Sequence, residues 1–385
     1  MTPDHGVVVN LGDIVSNVRE ATSIFPHDAK YIGLEHLGEG TGRLLGTGNA
    51  QTLTSAKFRF RRGDVLFGKL RPYLRKTWLA TFSGICSTDI LVLRPSDKII
   101  PEYLHLLVQS DSFAQYAVSS SEGTKMPRTS WSKLAPCSVV LPPLAEQRRI
   151  AEILGSMDDL IDIERNEIQH IHRLKWHVAG KAFAEHSHLG LTTIGALADV
   201  STGGTPSRAK PDYFKGHIPW VTTTEIKYNT ITKTAEMISE EALRQSPAKL
   251  YPKGTLLLAM YGQGATRGRV AMLGVDAAIN QACAAIRPRP SASGWYIYFW
   301  LELEYDVIRA LGHGSNQSNL NLELVRSIPI PNVDLSSQQR IVNILSVLDG
   351  RIAKLDERLA LIKQLKTGLL SEFIQHPNLM EGVES

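Results

Sequence analysis

Cysteine is scarce in this chain of 385 residues. Cys86, Cys137 and Cys283 are odd in number, widely scattered and never in C-x-x-C spacing. A disulfide framework and a thiolate zinc site are both excluded by that usage, and a reducing, intracellular setting is expected. Long apolar runs are missing too. The most apolar stretch, W-Y-I-Y-F-W-L at residues 295–301, is far too short to span a bilayer. The first ten residues lack the basic and apolar segments of a secretory signal, so a cytoplasmic protein with no membrane attachment is expected. No G-x-x-x-x-G-K-[ST] loop is present for ATP, and no N-P-P-aromatic or D-P-P-Y tetrapeptide of the kind that holds a base for amino-methyl transfer. A strong charge imbalance is also lacking. The formal net charge is +4, mildly basic and compatible with nucleic acid without arguing for it.

What is present is a repeat. E-Q-R-R-I-A-E-I-L at residues 146–154 returns as S-Q-Q-R-I-V-N-I-L at residues 337–345, 191 positions later and close to half the chain length. Solenoid units run to roughly 20–50 residues, so this period indicates two homologous halves instead. Weaker matches are collinear with it: G-D-V-L-F at 63–67 with G-T-L-L-L at 254–258, Gly123 with Gly314, and Arg94-Pro95 with Arg287-Pro288 after a two-residue insertion.

Each half reads as a mixed lobe followed by a long helix. Short β-rich runs at 64–67, 90–93, 255–259 and 282–286 are bounded by Gly, Pro and Ser. One helix per lobe is expected, over 101–117 and 294–311. The second long helix carries Leu345, Leu348, Ile352, Leu355, Leu359 and Ile362, continued by Leu369 and Phe373, with Lys366 breaking the series. That is a heptad seam. The first carries Leu154, Met157, Ile161, Ile168 and Ile171, with Glu164 and Lys175 intruding. The Ser336 to Gln339 spacing resembles a capping box. Each seam must be covered by its own lobe, by the other helix, or by a second chain. A duplicated chain already holds its own partner, which favours an antiparallel pair. The expected fold is therefore α+β: two homologous mixed α/β lobes joined by two long antiparallel helices, a coiled-coil spacer with a pseudo-two-fold. The expected boundaries are 1–143 for lobe one, 144–188 for the central helix, 189–334 for lobe two and 335–385 for the distal helix.

Lobe one holds K-F-R-F-R-R-G-D-V-L-F-G-K-L-R-P-Y-L-R-K at residues 57–76, eight cations against Asp64, with aromatic residues interleaved. Lys and Arg supply phosphate contacts and bidentate contacts to guanine. A solvated basic face is the alternative. The DNA reading selects Lys69, Arg71, Arg75 and Lys76, with Lys125 and Arg128 from T-K-M-P-R-T-S-W at 124–131. The corresponding loops of lobe two are A-M-Y-G-Q-G-A-T-R-G-R-V at 259–270 and S-N-Q-S-N-L-N-L at 315–322. There the selected residues are Gln263, Arg267, Asn316 and Gln317, with Thr205 and Ser207 from S-T-G-G-T-P-S at 201–207. Shared scaffolding with divergent polar loops suits two readers of different sequences; drift of surface loops would produce it as well. An enzymatic alternative is a single-chain nuclease built on Asp212, Glu225 and Lys227, which match P-D…E-x-K and could hold Mg²⁺. That pattern is permissive, lobe one has no equivalent, and chance accounts for it. The histidines near the end of the first helix have no Cys or carboxylate frame, so no metal site is expected.

With these segments in hand, the chain resembles the DNA-specificity subunit of type I restriction–modification systems. The resemblance rests on L-P-P-L-A-E-Q-R-R-I-A-E-I-L at 141–154 and its distal copy at 330–345. It rests also on G-G-T-P-S at 203–207, H-I-P-W-V-T-T-T-E-I-K at 217–227, A-M-Y-G at 259–262 and I-N-Q-A-C-A-A-I at 279–286, with G-K-L-R-P-Y-L-R-K at 68–76 as a variant element. It implies a non-catalytic reader of double-stranded DNA with a bipartite target, one target-recognition domain per half. The helices would set the gap and dock two modification subunits that use S-adenosylmethionine. Restriction subunits using ATP and Mg would complete the complex, leaving no cofactor in this chain. Two departures stand out: Ser337-Gln338 replaces an acidic E-Q pair, and lobe one lacks the G-G-T-P loop.

Overall fold

The computed structural model describes residues 6–262, 265–311 and 319–375. It divides into two compact units, Met1–Arg165 with Glu357–Ser385, and Asn166–Asp356. Each is built on a strand pair whose two faces are both buried. In the first unit Ile90–Pro95 lies between Val15–Val18 and Val65–Gly68, with Thr77–Leu79 at the edge, all antiparallel. Strand side chains alternate between faces. Val65, Phe67, Leu91 and Leu93 therefore enter one core with the helices, and Leu66, Ile90 and Val92 enter a second core with Phe60, Trp78 and Cys86. The second unit repeats this division. Leu256, Leu258, Ala284 and Ile286 face the helices; Leu257, Ala259, Cys283 and Ala285 face the other way. Burial on both faces explains why these runs are continuously apolar rather than alternating.

The duplication holds at the level of hydrogen bonds. Gly63 and Gly254 both take positive φ (88° and 85°), a turn that a side chain would strain. Their amides donate to Ala80 O and Leu273 O, each at 2.8 Å. A second sheet in each unit contains one parallel pair, Lys30–Ile32 with Gly84–Cys86 and Ile218–Val221 with Ala277–Ile279.

The repeated glutamine of the two E-Q-R-R-I and S-Q-Q-R-I segments is a buried clip. Gln147 Oε1 accepts from Ile100 N (2.9 Å), and its Nε2 donates to Lys98 O and Pro142 O, each at 2.9 Å. Gln338 does the same with Ser293 N (2.8 Å), Ser291 O (3.4 Å) and Val333 O (2.8 Å). Both side chains are essentially inaccessible. Each ties the start of a long helix to the loop that precedes its lobe's helices.

Two local expectations are corrected. The helix expected over 101–117 is two, Pro101–Gln109 and Asp111–Ser119. Ser110 is extended, and its hydroxyl caps Phe113 N at 3.2 Å, so it ends one helix and starts the next. Likewise 294–311 divides into Gly294–Leu303 and Tyr305–Ala310 at Glu304. The distal helix is capped by Asp334 rather than Ser336. Asp334 Oδ1 accepts from Ser337 N (3.0 Å) and the Ser336 hydroxyl (2.6 Å), which pulls its carboxyl well below the usual range.

The long helices are Leu144–Ala184 and Leu335–Gln375, 41 residues each and related by the same offset as the repeat. At 1.5 Å per residue each is about 60 Å long. Leu154, Met157, Ile161, Leu345, Ile352, Leu355 and Leu359 are buried, whereas Ile168, Ile171, Leu348 and Ile362 are half-buried. Within the first unit, Asp158 pairs with Lys366 (2.6 Å) and Glu164 with Arg358 (3.1 Å), so the two helices run antiparallel there. Within the second unit, Lys175 pairs with Asp349 (2.6 Å) and Glu167 with Arg351. The polar intruders in the heptad pattern are thus ion-pair partners. Lys175 and Lys366 are the same position in the two copies, and so are Asp349 and Asp158. All three cysteines are buried and unbonded, and burial pushes the Cys137 thiol up to about 11. Among the described residues no helix is long and apolar enough to cross a membrane.

Candidate nucleic-acid interface

The basic stretch 57–76 does not form one surface. Lys57–Phe60 and Val65–Gly68 belong to different sheets, and Lys57 is buried with its ammonium on Ser55 O (3.0 Å). What the fold gathers instead is the loop after Val65–Gly68 and the segment 125–129. Lys69 O accepts from Thr129 N (2.9 Å), Arg71 N donates to Pro127 O (2.7 Å), and Leu70 bridges Arg128. This pairing brings Lys69, Arg71, Lys125 and Arg128 to one edge of the lobe. Arg71, Lys125 and Arg128 are exposed. Arg128 reaches Asp89 at 3.1 Å. Burial, against the pull of Asp89 and with Arg128 nearby, holds the Lys69 ammonium below its usual range.

Arg71 and Arg75 adopt left-handed backbone conformations (φ 51° and 48°) on either side of the turn Pro72–Leu74. Such conformations cost on the order of 1–3 kcal/mol each for a residue with a side chain. The surroundings hold them. Pro72 is buried, and Arg75 is paired with Asp111. The Lys76 ammonium donates to Leu34 O (3.0 Å) and lies 3.5 Å from Glu39. Arg75 and Lys76 therefore anchor the loop, and Arg71 stands at its outer side. Two exposed residues that the charge pattern did not single out, Tyr73 and Met126, lie on these same segments. Their exposure is a tertiary property with no signal in composition.

In lobe two the equivalent pairing is kept: Leu320 N donates to Met260 O at 3.1 Å, the counterpart of Thr129 and Lys69. Three of the sequence motifs meet beside it. Gly203 packs so closely on the strand Ala277–Ile279 that an added Cβ would lie 1.9 Å from Ile279 O, so only glycine fits. Gly204 N donates to Ile279 O (2.9 Å), Trp220 Nε1 donates to Gly204 O (3.2 Å), and Asn280 N donates to Val221 O (3.0 Å). The Thr205 hydroxyl is bonded to the Gln281 side chain, and Ser207 is exposed. Next to it Arg208 grips Glu236 (2.5 and 2.9 Å) and lies 4.1 Å over the Phe214 ring, an arrangement no sequence pattern signalled. Arg267 is buried with its guanidinium on Arg309 O (3.1 Å), which makes it part of the loop's support. Gln263, Asn316 and Gln317 lie outside the described residues.

The nuclease constellation does not assemble as a metal site. Glu225 Oε2 accepts from Thr222 N (2.7 Å) and its Oε1 from Ala235 N (2.9 Å), so both oxygens cap the backbone. Asp212 is exposed and paired with Lys215 at 2.9 Å. Among the described residues no cluster of three or more His, Cys, Asp or Glu is placed to hold a metal ion.

The family model described as the type I restriction modification DNA specificity domain matches residues 8–173 and again 191–364. The chain belongs to that family. The two matches to the specificity domain follow the duplication seen in the hydrogen bonds. Among specificity-domain relatives, the chain is 28% identical over 179 residues to the EcoDI specificity subunit of Escherichia coli, covering 45% of this chain and 39% of that one. It is 19% identical to the MjaIX specificity subunit of Methanocaldococcus jannaschii over 82% and 77% of the two chains. The chain spans about two fifths of the length of the two Escherichia coli relatives it matches. The fold is that of a solved type I system S subunit from M. genitalium, with a TM-score of 0.62 at 14% identity over 97% of both chains. It is also that of a chain solved in work on the assembly and conformational transition of the type I system, with a TM-score of 0.64 at 20% identity, covering 96% and 97%.

Proposed function

We propose that this chain is the sequence-reading, non-catalytic subunit of a type I restriction–modification complex. Each lobe binds one half of a bipartite duplex target, and the long helices set the gap and dock two modification subunits. Methyl transfer from S-adenosylmethionine belongs to those partners, and ATP- and Mg-dependent cleavage to restriction subunits, all in the cytoplasm. The observation that carries this reading is the double match to the specificity domain over a duplicated frame whose loops diverge in charge. The lobes follow the boundaries 1–143 and 189–334.

In lobe one the DNA-facing residues are Lys69, Arg71, Lys125 and Arg128, with Arg75 and Lys76 fixing the loop. In lobe two they are Thr205, Ser207, Gln263, Asn316 and Gln317, with Arg267 beneath. Arg71→Ala is expected to weaken duplex binding and to lower the slope of log affinity against log salt by about one phosphate contact. Base preference at one half of the target relaxes while the other half is unchanged. Selection of bound duplexes from a randomised pool, followed by sequencing, reads both halves at once. Equal loss at both halves contradicts the assignment. The purified chain alone with plasmid and Mg²⁺ is expected to leave the DNA uncut; cutting would favour the nuclease alternative.

A further inference from the structure

The two units contain equivalent cavities beside the equivalent Lys–Asp pairs, and the two differ in charge. The first-unit cavity, about 330 Å³, is lined by Arg43, Arg75, Arg165, Lys363 and Lys366, against Asp111 and Asp158. The second-unit cavity, about 980 Å³, sets Lys175, Lys227, Arg269 and Arg309 against Glu302, Asp306, Asp349 and Asp356. Cations and carboxylates balance there. In the first they do not, even when Asp162, the partner of Arg43, is added.

The repeat identifies which substitutions make the difference. Arg165 stands where the second unit has Asp356, and Gln109 where it has Glu302. Lys175 consequently has two carboxylates, Glu302 and Asp349, each at 2.6 Å, whereas Lys366 has Asp158 alone among the described residues. Asp158 is shared further, with Arg43 at 3.9 Å. Asp162 likewise serves both Arg43 and Arg165. Burial and the Arg165 charge hold the Arg43 guanidinium below its usual range. Thr41, Gln109, Thr367 and Ser371 add neutral hydrogen-bonding groups to the same wall. Charges gathered in a partly closed, low-dielectric space repel one another unless a counter-charge enters.

The geometry points to an oxyanion site in the first unit, in which a phosphate group is held by Arg165, Lys363 and Lys366, with Arg43 and the hydroxyls completing its shell. Guanidinium and ammonium donors beside hydroxyls are the groups that bind phosphate oxygens. The second unit, with Asp356 and Glu302 at the matching positions, has no such excess of positive charge. The phosphate comes from a polyphosphate such as that of a nucleotide, or from a DNA backbone.

Inorganic pyrophosphate is the probe, titrated calorimetrically into the full chain against potassium chloride of matched ionic strength. Saturable binding of one pyrophosphate per chain is expected. Arg165→Asp, which installs the second unit's charge, is expected to weaken it at least tenfold, with the circular dichroism spectrum unchanged. Lys363→Glu, on an exposed helical position, gives an independent second variant with the same expected direction. No binding beyond the chloride control overturns the proposal, and so does binding that neither variant weakens. The source of the phosphate is separated by two further titrations. If DNA supplies it, pyrophosphate competes with a duplex and Arg165→Asp lowers the salt slope of duplex binding. If a nucleotide supplies it, ATP binds in place of pyrophosphate and duplex binding is untouched by the variant.

Discussion

Gln147→Leu is expected to destabilise the first unit by about 2 to 4 kcal/mol, because three backbone groups around a fully enclosed side chain lose their partners at once. The groups are Ile100 N–H, Lys98 C=O and Pro142 C=O, and no water replaces a side chain that is fully enclosed. Leucine fills a similar volume, so the loss is one of hydrogen bonds rather than of packing. Hydrogen exchange resolved by segment should show lost protection around 98–100 and the first turn of the central helix, with the equivalent segments around 291–293 unchanged. Gln338→Leu should give the mirrored result. Gln147→Glu keeps the acceptor for Ile100 but places a carboxylate against two carbonyls. Its pKa in the folded state rises, so the variant should regain stability as pH falls. Arg148→Ala, one position along and exposed, should stay within about 0.5 kcal/mol of the parent. An unfolding free energy for Gln147→Leu within 1 kcal/mol of the parent would show that the clip is dispensable.

Lys175→Met should cost a comparable amount, about 3 to 5 kcal/mol near neutral pH, through a different mechanism. The Lys175 side chain is 4% exposed and its partner Glu302 is 10% exposed. Removing the ammonium leaves the largely buried Glu302 carboxylate without its counter-charge. Burial already raises the Glu302 pKa, and Lys175 opposes that rise. Without the lysine the folded-state pKa climbs further above its unfolded value. A carboxyl shifted upward binds its proton more tightly in the folded state, so its penalty is absent at low pH and grows as pH rises through the unfolded value. The variant should therefore lie closest to the parent in urea unfolding at pH 5 and furthest at pH 8. Adding Glu302→Leu to Lys175→Met should recover most of the loss, since an apolar pair of similar volume replaces a buried ion pair at little cost. A deficit independent of pH would mean that lost packing on the Phe299 ring, 5.1 Å away, dominates instead.

The extent to which the fold was legible varies with the range of the interaction. The strands at 65–68, 90–95, 256–259 and 283–288 follow from short apolar runs between turn residues, and the long helices from their heptads. Both rest on periodicity, which local backbone geometry imposes. The breaks at Ser110 and Glu304 escaped because a cap in mid-helix depends on how the following turn packs. Glu164, Lys175 and Lys366 read as flaws in a seam because their partners are distant in sequence; Lys175 and Glu302 are 127 positions apart. The candidate interface was legible in part. Charge density marked the loop of Lys69 and Arg71. It could not separate Arg71, exposed, from Arg75 and Lys76, each held by the lobe.

The repeat by itself determined that this protein has two equivalent halves, each a mixed lobe with its own long helix. Collinear identity at one offset suffices for that, since homologous segments fold alike. Tertiary structure alone decided what the repeated residues do. Gln147 and Gln338 became clips because loops from elsewhere in the lobe close over them, and Arg165 gained its cationic surroundings because Lys363 and Lys366 line the same cavity. Hydrogen bonds and charges act over a few ångströms of space, and which groups share that space is set by packing rather than by position along the chain.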